Sequence, residues 1–277
     1  MHRRPMSTQR YKLVIAYRGT AYHGWQAQEH DATRQQLPTV EAMCRDAIVS
    51  VVGHPIELCG SSRTDAGVHA KGQVAHFDTR MTQIPPDGLR RAANARLPAD
   101  VVIRSIAAVP DAFDAVRGTV SKRYQYAVWN APERPVFFGD LAFHRWQPMD
   151  VARMRDAAAR LVGTHDLNAF AKPGHGRANT VRTIFACDVA RRGERIVIGV
   201  RGSGFLWNTV RIIAGTLIEV GIGRTPPEAI DKMLASRDRR TAGPTAPACG
   251  LYLQWIEHGQ PAAEVPPVPS PRGRGLG

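Results

Sequence analysis

One order of local patterns runs through this chain twice, and nothing else in the sequence restricts the fold as much. In the first pass, Tyr11–Tyr17 alternates in the manner of a half-buried strand. Thr39 stands as an N-cap before Val40, Met43, Ala47, Ile48 and Val51, which share one helical face. Ile56–Gly60 and Gln73–Thr79 read as strands joined by the loop SSRTDAGVHAKG; Asp87–Leu97 reads as a helix and Val101–Val109 as a closing strand. In the second pass, Ser121–Trp129 alternates, and Asp150 caps a helix carrying Val151, Met154, Ala158, Leu161 and Val162. Strands at Val181–Ala190 and Arg195–Gly202 precede an apolar helix over Phe205–Val220. A short helix opened by Pro226 and Pro227 follows, then a last strand at Leu251–Ile256.

Each pass is βαββαβ, with one helix added in the second, which is the split βαβ or ferredoxin-like signature. The expected class is α+β, with two ferredoxin-like halves flanking a central active-site cleft and a separate sheet in each. Residues 1–10 form a basic extension, 11–117 and 118–260 the two halves, and 261–277 a disordered tail rich in Pro and Gly. RNA-recognition domains share this order, so topology alone does not choose a function.

Charge narrows the partners. Lys+Arg is 37 against Asp+Glu 24, a net charge of +13, which favours capture of a polyanion. Lysine occurs only at 12, 71, 122, 172 and 232, so the excess is mostly arginine, whose fork suits phosphate. Genome composition, with alanine and glycine also abundant, accounts for the same bias equally well. Nucleic acid is the leading partner and an anionic membrane surface the second. No run is long enough to span a bilayer, and MHRRPMSTQRYK lacks the apolar core of a secretion signal. Cysteines 44, 59, 187 and 249 have no metal or redox spacing and read as reduced, mostly buried thiols of a cytoplasmic protein. His69, His76, His165 and His175 likewise lack metal spacing.

The chemistry concentrates between two strands of the first half, in the run from Gly60 to Asp78, GSSRTDAGVHAKGQVAHFD. Gly67 permits unusual φ, Thr64 can bond locally, and small residues around Asp65 leave room for a planar substrate. Taken alone, RTDAG is more often a surface Asx-turn. The longer run resembles the catalytic signature of the tRNA pseudouridine synthase A family, and the resemblance continues along the chain. YRGTAYHGWQAQ from Tyr17, NARLP from Asn94, SKRYQY from Ser121, FLWNTVR from Phe205 and AGPTAPACGLYL from Ala242 are similar to its other blocks. Ser62 stands where that family often has Gly, Thr209 where Met is usual, and Asp114 where His is frequent.

The resemblance implies a uridine-to-pseudouridine isomerase with no cofactor and no metal. Asp65 would be the catalytic carboxylate, as nucleophile or as base on the ribose, with Arg63 and Arg211 in support. A carboxylate in a dry pocket tends to protonate, and a guanidinium within about 4–6 Å opposes that. Arg211, inside an apolar helix, either pairs with Asp65 or snorkels to solvent. Tyr124 would stack on an extruded base, although in an alternating strand it also reads as core. Leu251 would pack on the base's other side. Lys71, Lys122 and Arg123 are candidate phosphate contacts. The loop AKPGHGRANTVR is either a clamp on RNA or an ordinary solvated loop. Implied partners are tRNA, modified at positions 38, 39 and 40 of the anticodon stem-loop, and a second copy in a homodimer. The competing readings are a non-catalytic RNA-binding protein and a synthase acting on another structured RNA.

Overall fold

Tyr11, Leu13, Ile15 and Tyr17 occupy alternate positions of β1 (Gln9–Tyr17) and all are buried, so the strand gives one face to the core. The computed structural model describes residues 8–26 and 38–259. Most of the basic extension, Ala27 and Gln28 of the opening motif, and the tail 261–277 lie outside the described residues.

Helix α1 (Val40–Val52) is capped by Thr39, whose Oγ1 accepts from the Ala42 N–H at 3.4 Å. Then come β2 (Cys59–Gly60), β3 (His69–Thr79), α2 (Pro86–Asn94) and β4 (Val101–Val109). The second half runs β5 (Thr119–Trp129), β6 (Phe143–His144), α3 (Val151–Arg160), β7 (Gly163–Asp166), β8 (Val181–Arg192), β9 (Arg195–Gly202), α4 (Thr209–Gly221), α5 (Ala229–Ser236) and β10 (Leu251–His258). Asp150 caps α3, accepting from Ala152 and Arg153 N–H at 2.8 and 3.1 Å. β6 and β7 are additions to the order read from the sequence.

The architecture is α+β. Neighbouring strands run β4-β1-β3-β2 in the first half and β10-β5-β9-β8 in the second, antiparallel throughout. The strands do not form the two separate sheets expected. They form one ten-stranded sheet, because β10 pairs in parallel with β3 through Tyr252–His69 and Leu253–Ala70. The reason lies in β2, which is only two residues long and pairs with Ala75 and His76. That leaves the beginning of β3 with an open edge, and backbone groups there need partners. Gly72 allows the close approach: a Cβ at this position would lie 2.6 Å from the Gln254 carbonyl oxygen.

Helix α3 packs on β8 and on α4. Nearly every side chain of α4 is buried, which makes Arg211 conspicuous. The helix also starts later than its apolar pattern suggests. Residues 206–209 form a turn, closed by Thr209 N–H on the Leu206 carbonyl at 3.2 Å, and Asn208 takes the left-handed conformation at φ 63°, so the helix cannot extend back through it.

Candidate active site

The loop from Ser61 to Val68 is fastened on both sides of Asp65. Before it, the Thr64 hydroxyl lies 2.7 Å from the Tyr17 hydroxyl, and the Thr64 carbonyl accepts from Trp25 N–H at 3.1 Å. After it, Val68 N–H closes a turn on the Asp65 carbonyl at 3.1 Å. Gly67, at φ 77°, fills the third position of that turn, where a type II geometry requires positive φ. The loop base is held by Gln73, whose amide accepts from Ser62 N–H at 3.2 Å and donates to the Ser62 carbonyl at 2.5 Å. Thr64 thus bonds across the fold to β1 rather than within its own loop.

Asp65 faces a cleft of about 900 Å³ between the two halves. Arg211, 146 positions later in the chain, brings Nη1 to 3.2 Å from Asp65 Oδ2. Its Nε donates to the Ala246 carbonyl at 2.8 Å, and Nη1 also reaches Asn208 Oδ1 at 3.2 Å. Trp207 Nε1 donates to Asp65 Oδ1 at 3.1 Å. The expected cross-half ion pair is present, and the alternative of a snorkelling Arg211 is not what the fold adopts.

Tyr124 reaches the cleft from β5. It is buried, its ring meets Phe205 edge-on at 5.5 Å, and its hydroxyl lies 2.8 Å from Ser62 Oγ. Glycine at position 62 would leave that hydroxyl without this partner. Burial pushes the Tyr124 phenol up to about 12, with the Ser62 bond opposing and the Asp65 charge adding to the rise. Leu251, the first residue of β10, lines the same cleft.

The cationic candidates divide. Arg63 is exposed and lines the cleft. Lys122 lines it too, donating to the Ser61 carbonyl at 2.6 Å, and burial pushes its amine down to about 8. Arg123 projects from the opposite face of β5 and pairs with Asp188 at 2.8 Å. Lys71 lies outside the cleft lining, with its ammonium 5.7 Å from the centre of the Tyr252 ring. Lys172 and Arg177, from the glycine-rich loop, do line the cleft. Among the described residues lining it, Asp65 carries the only carboxylate.

Trp207, Phe205 and Ser62 also belong to the site, and sequence reasoning does not single them out. Trp207 carries no periodic signal, because it stands outside α4, before the left-handed Asn208. His69 is a structural link, accepting from Gly19 N–H at 3.0 Å while its Nε2 lies 3.1 Å from the Cys249 carbonyl. Of the four free cysteines, Cys44 is buried and the other three are half-buried, fewer than expected. Among the described residues no cluster of three or more His, Cys, Asp or Glu is placed to hold a metal, and no helix is long and apolar enough to cross a membrane.

A carboxylate with one donor on each oxygen, at the floor of a cationic cleft, defines an enzyme suited to a polyanionic substrate. The profile of the family described as tRNA pseudouridine synthase matches residues 13–117 and 157–257. The chain is 42% identical to tRNA pseudouridine synthase A of Syntrophotalea carbinolica over 247 residues, covering 89% of this chain and 95% of that protein. It is 43% identical to the protein of the same name from Geotalea uraniireducens over 242 residues, 87% of this chain and 96% of that one. For the Thermoanaerobacter sp. protein of that name the identity is 39% over 241 residues, 87% and 96%. This chain belongs to the tRNA pseudouridine synthase family and is an isomerase.

Proposed function

We propose that this protein converts uridine to pseudouridine in tRNA, at positions 38, 39 and 40 of the anticodon stem-loop. The observation that carries the reading is Asp65, the one carboxylate among the described residues that line the cationic cleft, held by Arg211 from the other half.

The reaction breaks the N1–C1′ bond and rejoins the ring to C1′ through C5. It needs a charged carboxylate near C1′ and a base taken out of its stack. Asp65 supplies the carboxylate, attacking C1′ or removing a ribose proton. Arg211 supplies the compensating charge. Tyr124 and Leu251 bracket the extruded base. The Tyr124 phenol, held up to about 12, is protonated at neutral pH, so it relays the C5 proton, taking it up as its own passes to Ser62 Oγ at 2.8 Å. Arg63 and Lys122 meet the RNA backbone beside the target, and Lys172 and Arg177 extend that path along the rim. Lys71 and Arg123 meet RNA only where it runs beyond the cleft.

Residues 11–117 and 118–260 are read as two ferredoxin-like halves, a reading supported by their equivalent antiparallel strand orders. The protein works in the cytoplasm, as a homodimer on one tRNA. A tRNA is much longer than this cleft, which suits two copies.

The test is tritium release from tRNA labelled at uridine C5, together with mapping of modified uridines in RNA from cells lacking the protein. Release by the wild-type protein, and loss of pseudouridine at positions 38–40, is the expected result. Binding without release returns the chain to the RNA-binding reading, and loss at sites in another RNA changes the substrate.

A further inference from the structure

Arg211 does not fix the Asp65 carboxylate by itself. Its Nε is spent on the Ala246 carbonyl, and Nη1 divides between Asp65 Oδ2 and Asn208 Oδ1. The hold is therefore single-pronged, not the two-bond fork that a guanidinium can offer a carboxylate. A carboxylate gripped through one oxygen can still turn about its Cβ–Cγ bond. One gripped through both cannot.

The second grip comes from Trp207, whose Nε1 donates to Asp65 Oδ1 at 3.1 Å. The indole is itself held. Its residue's carbonyl accepts from Lys172 N–H at 2.9 Å, and the Lys172 ammonium lies 4.0 Å from the ring centre. A cation over the ring withdraws π density and makes the indole N–H a better donor. Asn208, left-handed at φ 63°, keeps Trp207 outside α4, so the indole approaches Asp65 from the turn before the helix and Arg211 from the helix itself. The indole is 43% exposed, so packing alone gives no reason for so large a side chain here.

We infer that Trp207 is a positioning residue for the isomerisation: its one N–H fixes the plane of the Asp65 carboxylate, leaving each oxygen a lone pair for the arriving nucleoside. The inference rests on the role given to Asp65 above. Lys172 ties the basic rim to the same indole, so a phosphate bound at the rim sits one side chain away from the donor to Asp65.

Trp207→Phe keeps an aromatic ring for Lys172 and removes the donor. Its turnover number in the tritium assay is expected to fall about tenfold, the scale of one hydrogen bond to a charged group. KM for tRNA should stay within about twofold of wild type. An unchanged turnover number, or a loss carried by KM alone, overturns the role. The contact can also be read without catalysis. The chain has five tryptophans, and the ¹⁵N–¹H indole signal that disappears in Trp207→Phe (or in Trp207→Tyr, should the first not fold) belongs to Trp207. That signal is expected to move upfield in Asp65→Ala, which removes its acceptor. A signal that stays in place overturns the inference whatever the kinetics show. If it moves while wild-type protein releases no tritium, the reading of the reaction has failed and the contact has not.

Discussion

Two arginine–aspartate pairs of the same chemistry sit on opposite faces of the second half. On the outer face, Arg123 and Asp188 approach to 2.8 Å, with side chains 30% and 52% exposed. In the cleft, Arg211 and Asp65 are 3.2 Å apart, with side chains 18% and 30% exposed. The shorter pair is the less consequential one. It joins two strands of one half, β5 and β8, in the open, where such pairs contribute about 0–1 kcal/mol. The cleft pair exists only when a loop of the first half and a helix of the second are docked, and it leaves both groups beside a cavity. Position, burial and what else touches the carboxylate separate the two; distance does not.

Asp65 itself aside, the sharpest break in that comparison is expected from Arg211→Ala. Turnover at saturating tRNA should fall about 10²-fold or more, because the carboxylate loses the cation that faces it. Should Arg211→Ala and Arg123→Ala behave alike in the tritium assay, the distinction between the pairs collapses. Tyr124→Phe comes next. It keeps the ring but removes the hydroxyl and strands Ser62 Oγ, and an approximately tenfold fall in turnover with little change in KM is expected. A rise in KM alone, with turnover unchanged, would mark Tyr124 as a binding contact.

Lys122→Met probes the rim. The salt dependence of tRNA binding should lose about one unit of slope at pH 7, as for one phosphate contact. Because burial pushes the Lys122 amine down to about 8, the wild-type advantage should shrink as pH rises past 8. Stability moves the other way. A depressed amine favours the folded state only once its proton is gone, so wild type gains on Lys122→Met between pH 8 and its unfolded value of 10.5, and loses that gain as pH falls through 8. Thermal melts of the two proteins at pH 7, 8, 9 and 10 read this directly. The smallest effect belongs to Arg123→Ala: turnover within about twofold, and at most about 1 kcal/mol in urea unfolding.

Local physics made much of the fold legible. Thr39 and Asp150 cap the helices they were read to cap, since each needs only a short polar side chain and the N–H groups two or three residues on. The alternation in β1 and β5 likewise reports which face is buried. The single sheet was not legible, because β3 and β10 meet through two register pairs between residues far apart in the chain, and no local pattern encodes that edge. Within the site, Gly67 announces its turn, but the approach of Arg211 to Asp65 came from resemblance and not from periodicity. The turn at 206–209 is not legible because apolar residues continue through it; a left-handed Asn208 breaks the helix without changing the hydrophobic pattern. The same continuity conceals Trp207, whose reach to Asp65 depends on standing outside the helix.

The central claim is that the oxygens of residue 65 do the chemistry while the surrounding cleft does the binding. Asp65→Asn keeps the side chain's shape, so tRNA binding and tritium release should be measured on it in parallel with wild type. Affinity within about twofold of wild type, with release reduced by at least about 10³-fold, is the expected result. Release near the wild-type rate would contradict the account.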